Sequence, residues 1–189
     1  MARKVERKDI VDYQTWIERR DAEREKMMKV KEPRRVHVGE HLTFLFENTD
    51  TVRYQIQEMM RAEEIVKEEA IQHEIDTYNE LLGRPDEIGC VLLIEVETAE
   101  ERAVKLVEWL DLPKHIYAEL EDGTKVRPKY DERQVGETRV SSVQYMTFDT
   151  DGKVPVALGS DLPALEVRVE LTDEQRRAIE EDLKDGAVA

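Results

Sequence analysis

The sequence predicts an α+β domain in which a mixed, mainly antiparallel sheet is packed by a long helical excursion and two shorter helices, with an N-terminal helical arm. Three observations predict this fold. Apolar residues recur at helical spacing over residues 51–82, whereas residues 88–96 form a nearly continuous apolar run that is typical of a buried strand. Asp-Gly dipeptides at Asp122 and Asp151 separate short alternating segments, which favours antiparallel hairpins.

The length and composition suit one domain with an arm. We predict a basic helical arm over residues 1–33, a single α+β domain over 34–184 and a frayed tail over 185–189 of the 189-residue chain. No stretch approaches the ~20 apolar residues of a membrane span, and the charged start has no apolar signal region. We therefore expect a cytoplasmic protein.

The net charge of −15 is unevenly distributed. Residues 1–35 carry 12 Lys or Arg against 8 Asp or Glu, and the remaining residues carry 17 against 36. A body of this acidity repels a phosphate backbone, so we expect no nucleic-acid partner. The excess of positive charge in the arm suits contact with another protein. A homodimer formed through the arm is compatible with the sequence.

The N-terminal half predicts a helix, a strand and a helical excursion. The helix over 8–31 has a thin apolar edge and is stopped by Pro33. Alternating apolar residues over 36–46 favour a strand bent at Gly39, although the second part of this segment also fits a helix.

The helical excursion over 51–82 is about two ordinary helices long, so we predict a break near 67–70. Asp50 or Thr51 is the predicted cap at its start. Gly83 and the proline two residues later end it.

The C-terminal half predicts strands and two shorter helices. A helix over 98–110, between the strand at 88–96 and the next strand, makes a plausible crossover unit. The further predicted elements are a hairpin of 116–120 with 125–130, strands at 139–148, 154–158 and 165–171, and a helix capped by Thr172 that runs through residue 183.

Common catalytic motifs are missing from the chain. It contains no Gly-rich phosphate loop, no HExxH, no CxxC pair and no GxSxG, so standard nucleotide, zinc-hydrolase, thiol-redox and serine-hydrolase sites lack their residues. The single cysteine, Cys90, lies in an apolar run and is expected to be a buried small residue. We predict no bound cofactor.

Carboxylate and amide side chains are concentrated in the segment that runs from the end of the first strand into the helical excursion. Helical spacing places Glu63 on the apolar stripe, where a carboxylate needs a cation, a donor, a metal or a proton. Arg61 pairs with Glu58 in the simpler interpretation. The candidate functional cluster is Glu47, Asn48, Gln55, Glu58, Arg61 and Glu63.

The segment over residues 34–63 resembles the bacterial family known as domain of unknown function 3501, and the likeness covers nearly the whole chain. The residues that carry the resemblance are Arg34, Arg35, Val36, Gly39, Phe46, Glu47, Asn48, Thr51, Gln55, Ile56, Gln57, Glu58, Arg61 and Glu63, with weaker echoes at Tyr78, Asn79, Glu95 and 142–145. The family has no established activity. The resemblance implies an association with a rubrerythrin-like protein and an iron–sulfur protein, because members tend to be encoded beside such genes.

Two functions are therefore expected. The first is a non-catalytic accessory or assembly partner of a rubrerythrin and iron–sulfur redox system, with the basic arm and the 47–63 region as its contact surfaces. The alternative is a metal-binding protein or an enzyme whose site is built from Glu47, Gln55, Glu58 and Glu63, with Arg61 orienting an anion or a carboxylate. The sequence does not decide whether the chain is an enzyme.

Overall fold

Two antiparallel sheets and six α-helices make up the structure, a computed structural model that describes residues 4–187, with side chains through Lys184. The helices are α1 (Tyr13–Lys31), α2 (Thr49–Ala62), α3 (Glu68–Asn79), α4 (Ala99–Glu108), α5 (Leu112–His115) and α6 (Asp173–Ala187). The strands are β1 (Arg35–Val38), β2 (Leu42–Phe46), β3 (Glu87–Ile94), β4 (Ile116–Glu119), β5 (Lys125–Val126), β6 (Pro128–Tyr130), β7 (Val143–Asp149), β8 (Ala157–Leu162) and β9 (Leu165–Glu170). The α+β class is confirmed.

Strand β3 is the centre of the larger sheet, whose strand order is β1-β2-β3-β7-β6. It pairs with β2 on one side and β7 on the other, with Cys90 opposite Phe46 and Met146. Successive side chains of a strand point to opposite faces. Leu92 therefore enters the core shared by the two sheets, and Val91 enters a second core under the helices.

The smaller sheet has the order β5-β4-β8-β9 and faces the first across the main core. Ile116 of β4 and Leu158 of β8 are buried there with residues of β3, and Ile179 of α6 covers the same core. The second core lies on the other face of the larger sheet, where α2 and α3 pack Ile56 and Ile75. Apolar side chains therefore cover both faces of the larger sheet.

The segment over 36–46 is a hairpin and not a single bent strand. Val38 pairs with Leu42, so the chain reverses at Gly39, whose φ of 66° lies in the left-handed region that favours glycine. The strand interpretation of this segment was right, but the expectation of a bend was wrong because glycine there closes a turn.

The helical excursion breaks between Ala62 and Glu68, close to the predicted position. Its start was predicted two to three residues too late. Asn48 is the cap, because its side chain accepts a hydrogen bond from the Thr51 backbone N–H while the Thr51 hydroxyl accepts one from the Asn48 N–H.

The predicted crossover unit is wrong, because β3 and β4 belong to different sheets and every strand pairing among residues 4–187 is antiparallel. The predicted strand at 139–148 begins at Val143, and the one at 154–158 begins after Pro155, at Ala157. The predicted hairpin at 116–130 divides between the sheets, since β6 pairs with β7.

The last helix begins after Thr172, whose hydroxyl accepts a hydrogen bond from the Gln175 N–H, as predicted. It continues through Ala187, beyond the residue at which we expected it to end. Residues 188–189 of the predicted tail, and residues 1–3 of the predicted arm, lie outside the described residues.

Gly89 supplies a test of how the helices meet β3. A Cβ atom at this position would lie 1.5 Å from the Leu81 carbonyl oxygen, so the backbone after α3 packs directly on the strand. Gly89→Ala is expected to lower the free energy of unfolding by about 3 kcal/mol or more, because the chain between α3 and β3 must move. Urea denaturation followed by circular dichroism measures the loss.

The matched control is Gly123→Ala, in the β4–β5 turn. Gly123 has a φ of 82° but nothing within 4 Å of the added Cβ, so this variant meets only the backbone strain of an alanine at positive φ. It is expected to cost about 1 kcal/mol. Equal losses in the two variants would show that close packing at Gly89 is not important for stability.

Candidate functional site

The six residues of the candidate cluster lie in three different environments. Glu47 and Asn48 lie between β2 and α2, and Asn48 binds α6. Glu58 connects α2 to α1, with Arg61 beside it in α2. Gln55 faces Tyr78 of α3, and Glu63 is exposed where α2 ends.

Asn48 is the centre of the first environment. Its Oδ1 caps α2, and its Nδ2 donates a hydrogen bond of 3.0 Å to Asp182 of α6. Arg34 binds the same carboxylate with two hydrogen bonds of 2.7 and 2.8 Å, and both charged side chains are at most 15% exposed. This ion pair therefore joins the chain before β1 to the C-terminal helix, and Asn48 shares its carboxylate.

Glu47 lies beside this group and accepts a hydrogen bond from the Thr51 hydroxyl. Burial raises the pKa of the Glu47 carboxyl, against the hydrogen bond from Thr51 and the positive charge of Lys31. Burial also raises the pKa of the neighbouring Cys90 thiol, and the charge of Glu47 adds to that effect. Cys90 is therefore a buried neutral thiol, as the sequence predicted.

Glu58 is the centre of the second environment, between α1 and α2. Its Oε1 accepts hydrogen bonds from Trp16 Nε1 at 3.0 Å and Arg20 Nε at 2.8 Å, and Arg20 also reaches Oε2 at 2.9 Å. Arg61 Nε lies 3.4 Å from the same oxygen, as the simpler interpretation of the sequence expected, without hydrogen-bond geometry.

These donors decide the protonation state of Glu58. Burial of its carboxyl acts to raise the pKa, but the hydrogen bonds from Arg20 and Trp16 and the charges of Arg20 and Arg61 outweigh it and leave the pKa below its ordinary value. Glu58 is thus an ionised carboxylate that holds α1 against α2.

Glu63 does not lie on an apolar stripe. The helix ends at Ala62 and Glu63 is its exposed C-cap residue, so the chain leaves the helical path before the stripe reaches it. The continuation of the stripe at Val66 is also wrong, since Val66 is 68% exposed. Gln55 is half-buried and lies near the Tyr78 hydroxyl of α3.

Two buried side-chain amides, one in α2 and one in α3, bind the backbone of the N-terminal segment, residues 5–11. Gln57 accepts from the Val11 N–H at 2.7 Å and donates to the Val11 carbonyl at 3.3 Å. Asn79 pairs in the same way with Val5, at 2.9 Å for each bond. Each amide replaces the two backbone bonds that a neighbouring strand would make, so the segment is bound without being a strand.

The candidate carboxylates do not converge on one point. Within residues 4–184, no three His, Cys, Asp or Glu side chains are grouped closely enough to hold a metal ion. The same residues include no helix that is long and apolar enough to cross a membrane.

Sequence reasoning missed a group of charged and polar side chains at the ends of the central strands β4 and β8 of the smaller sheet. His115 Nδ1 lies 2.9 Å from Asp161 Oδ1, and Arg127 donates to Asp161 Oδ2 at 2.5 Å and to the His115 carbonyl at 2.7 Å. The hydrogen bond from Arg127 lowers the pKa of Asp161 to about 2, so this carboxylate can only accept. His115 Nδ1 therefore carries its proton. No local motif could have found this pair, because 46 residues separate its members.

A family model described as a protein of unknown function (DUF3501) matches residues 4–183. The chain belongs to this family. A solved structure described as a novel protein of unknown function from Burkholderia pseudomallei K96243 is 25% identical to this DUF3501 protein, with a TM-score of 0.83 over 97% of this chain and 99% of that chain. Among curated proteins, none matches the sequence.

The geometry explains what many of the residues that carry the DUF3501 resemblance do in this chain. Arg34 and Asn48 bind Asp182 of α6, and Thr51 completes the cap of α2. Gln57 and Glu58 tie the N-terminal segment and α1 to α2. The arm and the 47–63 region, which we expected to bind a partner, thus contact each other within one chain.

Glu58→Gln tests the bond between α1 and α2. The variant keeps the shape of the side chain but removes the charge that holds Arg20, so the free energy of unfolding is expected to fall by about 2 kcal/mol. Glu63→Gln makes the same chemical change at an exposed position and is expected to alter stability by less than about 0.5 kcal/mol. Urea denaturation of both variants makes the comparison, and equal effects would contradict the role of Glu58.

Glu47→Gln tests the buried carboxyl. Because the pKa of Glu47 is raised above its ordinary value of 4.5, the folded protein holds this proton more tightly than the unfolded chain. As the pH rises above 4.5, the unfolded chain ionises before the folded protein does, so the free energy of unfolding falls. The fall is complete once the pH exceeds the raised pKa of Glu47. The uncharged variant is expected to gain about 1 kcal/mol at pH 7 relative to the wild type, and the gain should grow as the pH rises from 4.5 to the raised pKa of Glu47.

The control for this variant is Glu40→Gln, at an exposed position in the β1–β2 turn. It is expected to show no gain that grows with pH over the same range. Denaturant unfolding at several pH values measures both. A loss of stability in Glu47→Gln at pH 7, or a gain independent of pH, would show that the ionised form of Glu47 is not the costly one.

Proposed function

We propose that this protein is a non-catalytic accessory protein that binds another protein through helix α4. One observation carries the proposal. Of the ten residues of α4, only Leu106 is buried, while Val104 is 66% exposed and Val107 is 52% exposed. Ala103 is exposed as well, so a helix of amphipathic pattern leaves part of its apolar side in solvent.

The two valines contribute little to folding. Valine is less favourable than alanine in a helix by about 0.5 kcal/mol, because its branched side chain loses rotamer freedom. An exposed valine gains no burial to offset that cost. Two such residues within one turn of a helix are therefore better explained as a binding surface than as part of the core.

The charges around the valines indicate the chemistry of the partner. In α4 and the residues just before it, exposed glutamates outnumber cations. The glutamates are Glu97, Glu100, Glu101 and Glu108, and the cations are Arg102 and Lys105. Lys105 also lies over the Trp109 ring, with its Nζ 4.8 Å from the ring centroid. An apolar stripe with an acidic border favours a basic amphipathic segment.

The proposed partner is a component of a rubrerythrin and iron–sulfur redox system, on the basis of the family resemblance alone. The alternative of a metal or catalytic site on Glu47, Gln55, Glu58 and Glu63 has no observation in its favour. Those side chains face three different sets of neighbours.

The double variant Val104→Gln/Val107→Gln tests the binding role. Glutamine removes the apolar groups, keeps the charge and is a good helix former, so α4 should persist. The tagged full chain, captured from cells that naturally produce it, should retain a specific protein that the double variant loses at least tenfold, as measured by quantitative mass spectrometry.

Val66→Gln is the matched control, since Val66 is an equally exposed valine outside α4. It should retain the partner. Equal capture by all three proteins, or no specific protein with the wild type, would overturn the binding role of α4. A specific partner that is neither rubrerythrin-like nor an iron–sulfur protein would contradict the redox association only.

A further inference from the structure

We propose that a pocket between α3 and β7 binds a small organic cation that carries an alkylammonium group. The pocket has a volume of about 280 Å³. Its lining residues come from the end of α3 and the turn after it, from the loop that follows β6, and from β7. Among them are Tyr78, Glu80, Leu81, Asp131, Gln134 and Tyr145.

Two tyrosine side chains give the pocket its chemistry. Tyr145 is 42% exposed, and Tyr78 is half-buried on the opposite wall. The face of a tyrosine ring carries partial negative charge and attracts ammonium groups, most strongly where water is partly excluded. Leu81 adds apolar surface that suits the methyl or methylene groups of such a cation.

Neighbouring polar side chains hold both tyrosines in place. Gln55 of α2 lies near the Tyr78 hydroxyl, so this ring is positioned between α2 and α3. The Tyr145 N–H donates to Gln134 Oε1 at 2.5 Å, and Gln134 Nε2 donates to the Tyr145 carbonyl at 3.4 Å. The Gln134 side chain therefore takes the place of a neighbouring strand at this edge of β7, and the pocket wall is formed before any ligand arrives.

The charges around the pocket favour a cation over an anion. Glu80 and Asp131 line it, and Glu63 and Glu74 act electrostatically on the Tyr78 hydroxyl. Arg133 is the nearby cation, and its guanidinium is bound to Asp131 with a shortest distance of 2.5 Å. Carboxylates thus outnumber cations here, so an anionic ligand would meet net repulsion.

This inference gives a function to residues that the α4 proposal does not use. Tyr78 and Tyr145 are among the positions of weaker family resemblance, and neither belongs to a core cluster as a buried residue. The pocket and α4 share no residue. Binding at one can therefore fail without affecting the other.

Tetramethylammonium is the probe, and tert-butanol is its uncharged counterpart of similar shape. Both are titrated into the full-length protein, and backbone amide chemical shifts are followed by two-dimensional NMR. Tetramethylammonium is expected to produce saturable shifts at Tyr78, Tyr145 and Thr147, with at least about fivefold tighter binding than tert-butanol.

Variants separate the ring from the hydroxyl and the charge from the shape. Tyr145→Phe keeps the aromatic face and should keep the affinity within about twofold, whereas Tyr145→Leu should weaken it about fivefold. Glu80→Gln should weaken binding of the cation and leave tert-butanol unchanged. Glu69→Gln, an exposed carboxylate at the start of α3 that does not line the pocket, is the matched control and should have no effect.

Three results would overturn the proposal. The first is the lack of saturable shifts at the pocket with tetramethylammonium up to its highest usable concentration. The second is equal affinity for tert-butanol, which would show an apolar cleft without preference for charge. The third is unchanged affinity in a folded Tyr145→Leu variant, which would place the cation elsewhere.

Discussion

The burial of strand β3 on both faces is the constraint on which the rest of the structure depends. One face supplies Cys90 and Leu92 to the core between the sheets, and the other supplies Val91 to the core under α2 and α3. Fully burying an aliphatic side chain is worth about 1.5–3 kcal/mol, so neither face can be left to solvent. The smaller sheet and the helices are the two layers that this requirement demands.

The same constraint explains the polar residues of the 47–63 segment. Helix α2 must lie on the larger sheet, and the N-terminal segment and α1 must lie on α2. Gln57 and Asn79 bind the backbone of the N-terminal segment at buried positions, and Glu58 neutralises Arg20 at the α1 contact. Unpaired polar groups there would each cost about 1–3 kcal/mol, so these contacts select one docking of the N-terminal segment.

The two proposed binding surfaces lie outside these internal contacts. Helix α4 contributes one buried side chain and leaves its valines outside. The α3–β7 pocket is formed where Gln134 replaces a strand partner beside Tyr145. The exposed valines of α4 and Tyr145 lie outside the two cores, whereas the residues that carry most of the family resemblance stabilise the cores or fasten the chain around them.

The sequence by itself determined the α+β class, the central strand, the interruption of the helical excursion and the Thr172 cap, because these depend on local periodicity, turn residues and capping. It also determined the Glu58–Arg61 pair, since three residues of helix bring the two together. Only the tertiary structure decided that Glu63 is exposed, that Asn48 shares Asp182 with Arg34, and that β3 and β4 lie in different sheets. Those outcomes depend on residues as far as 148 positions apart, as with Arg34 and Asp182, and no local pattern records which distant surfaces meet.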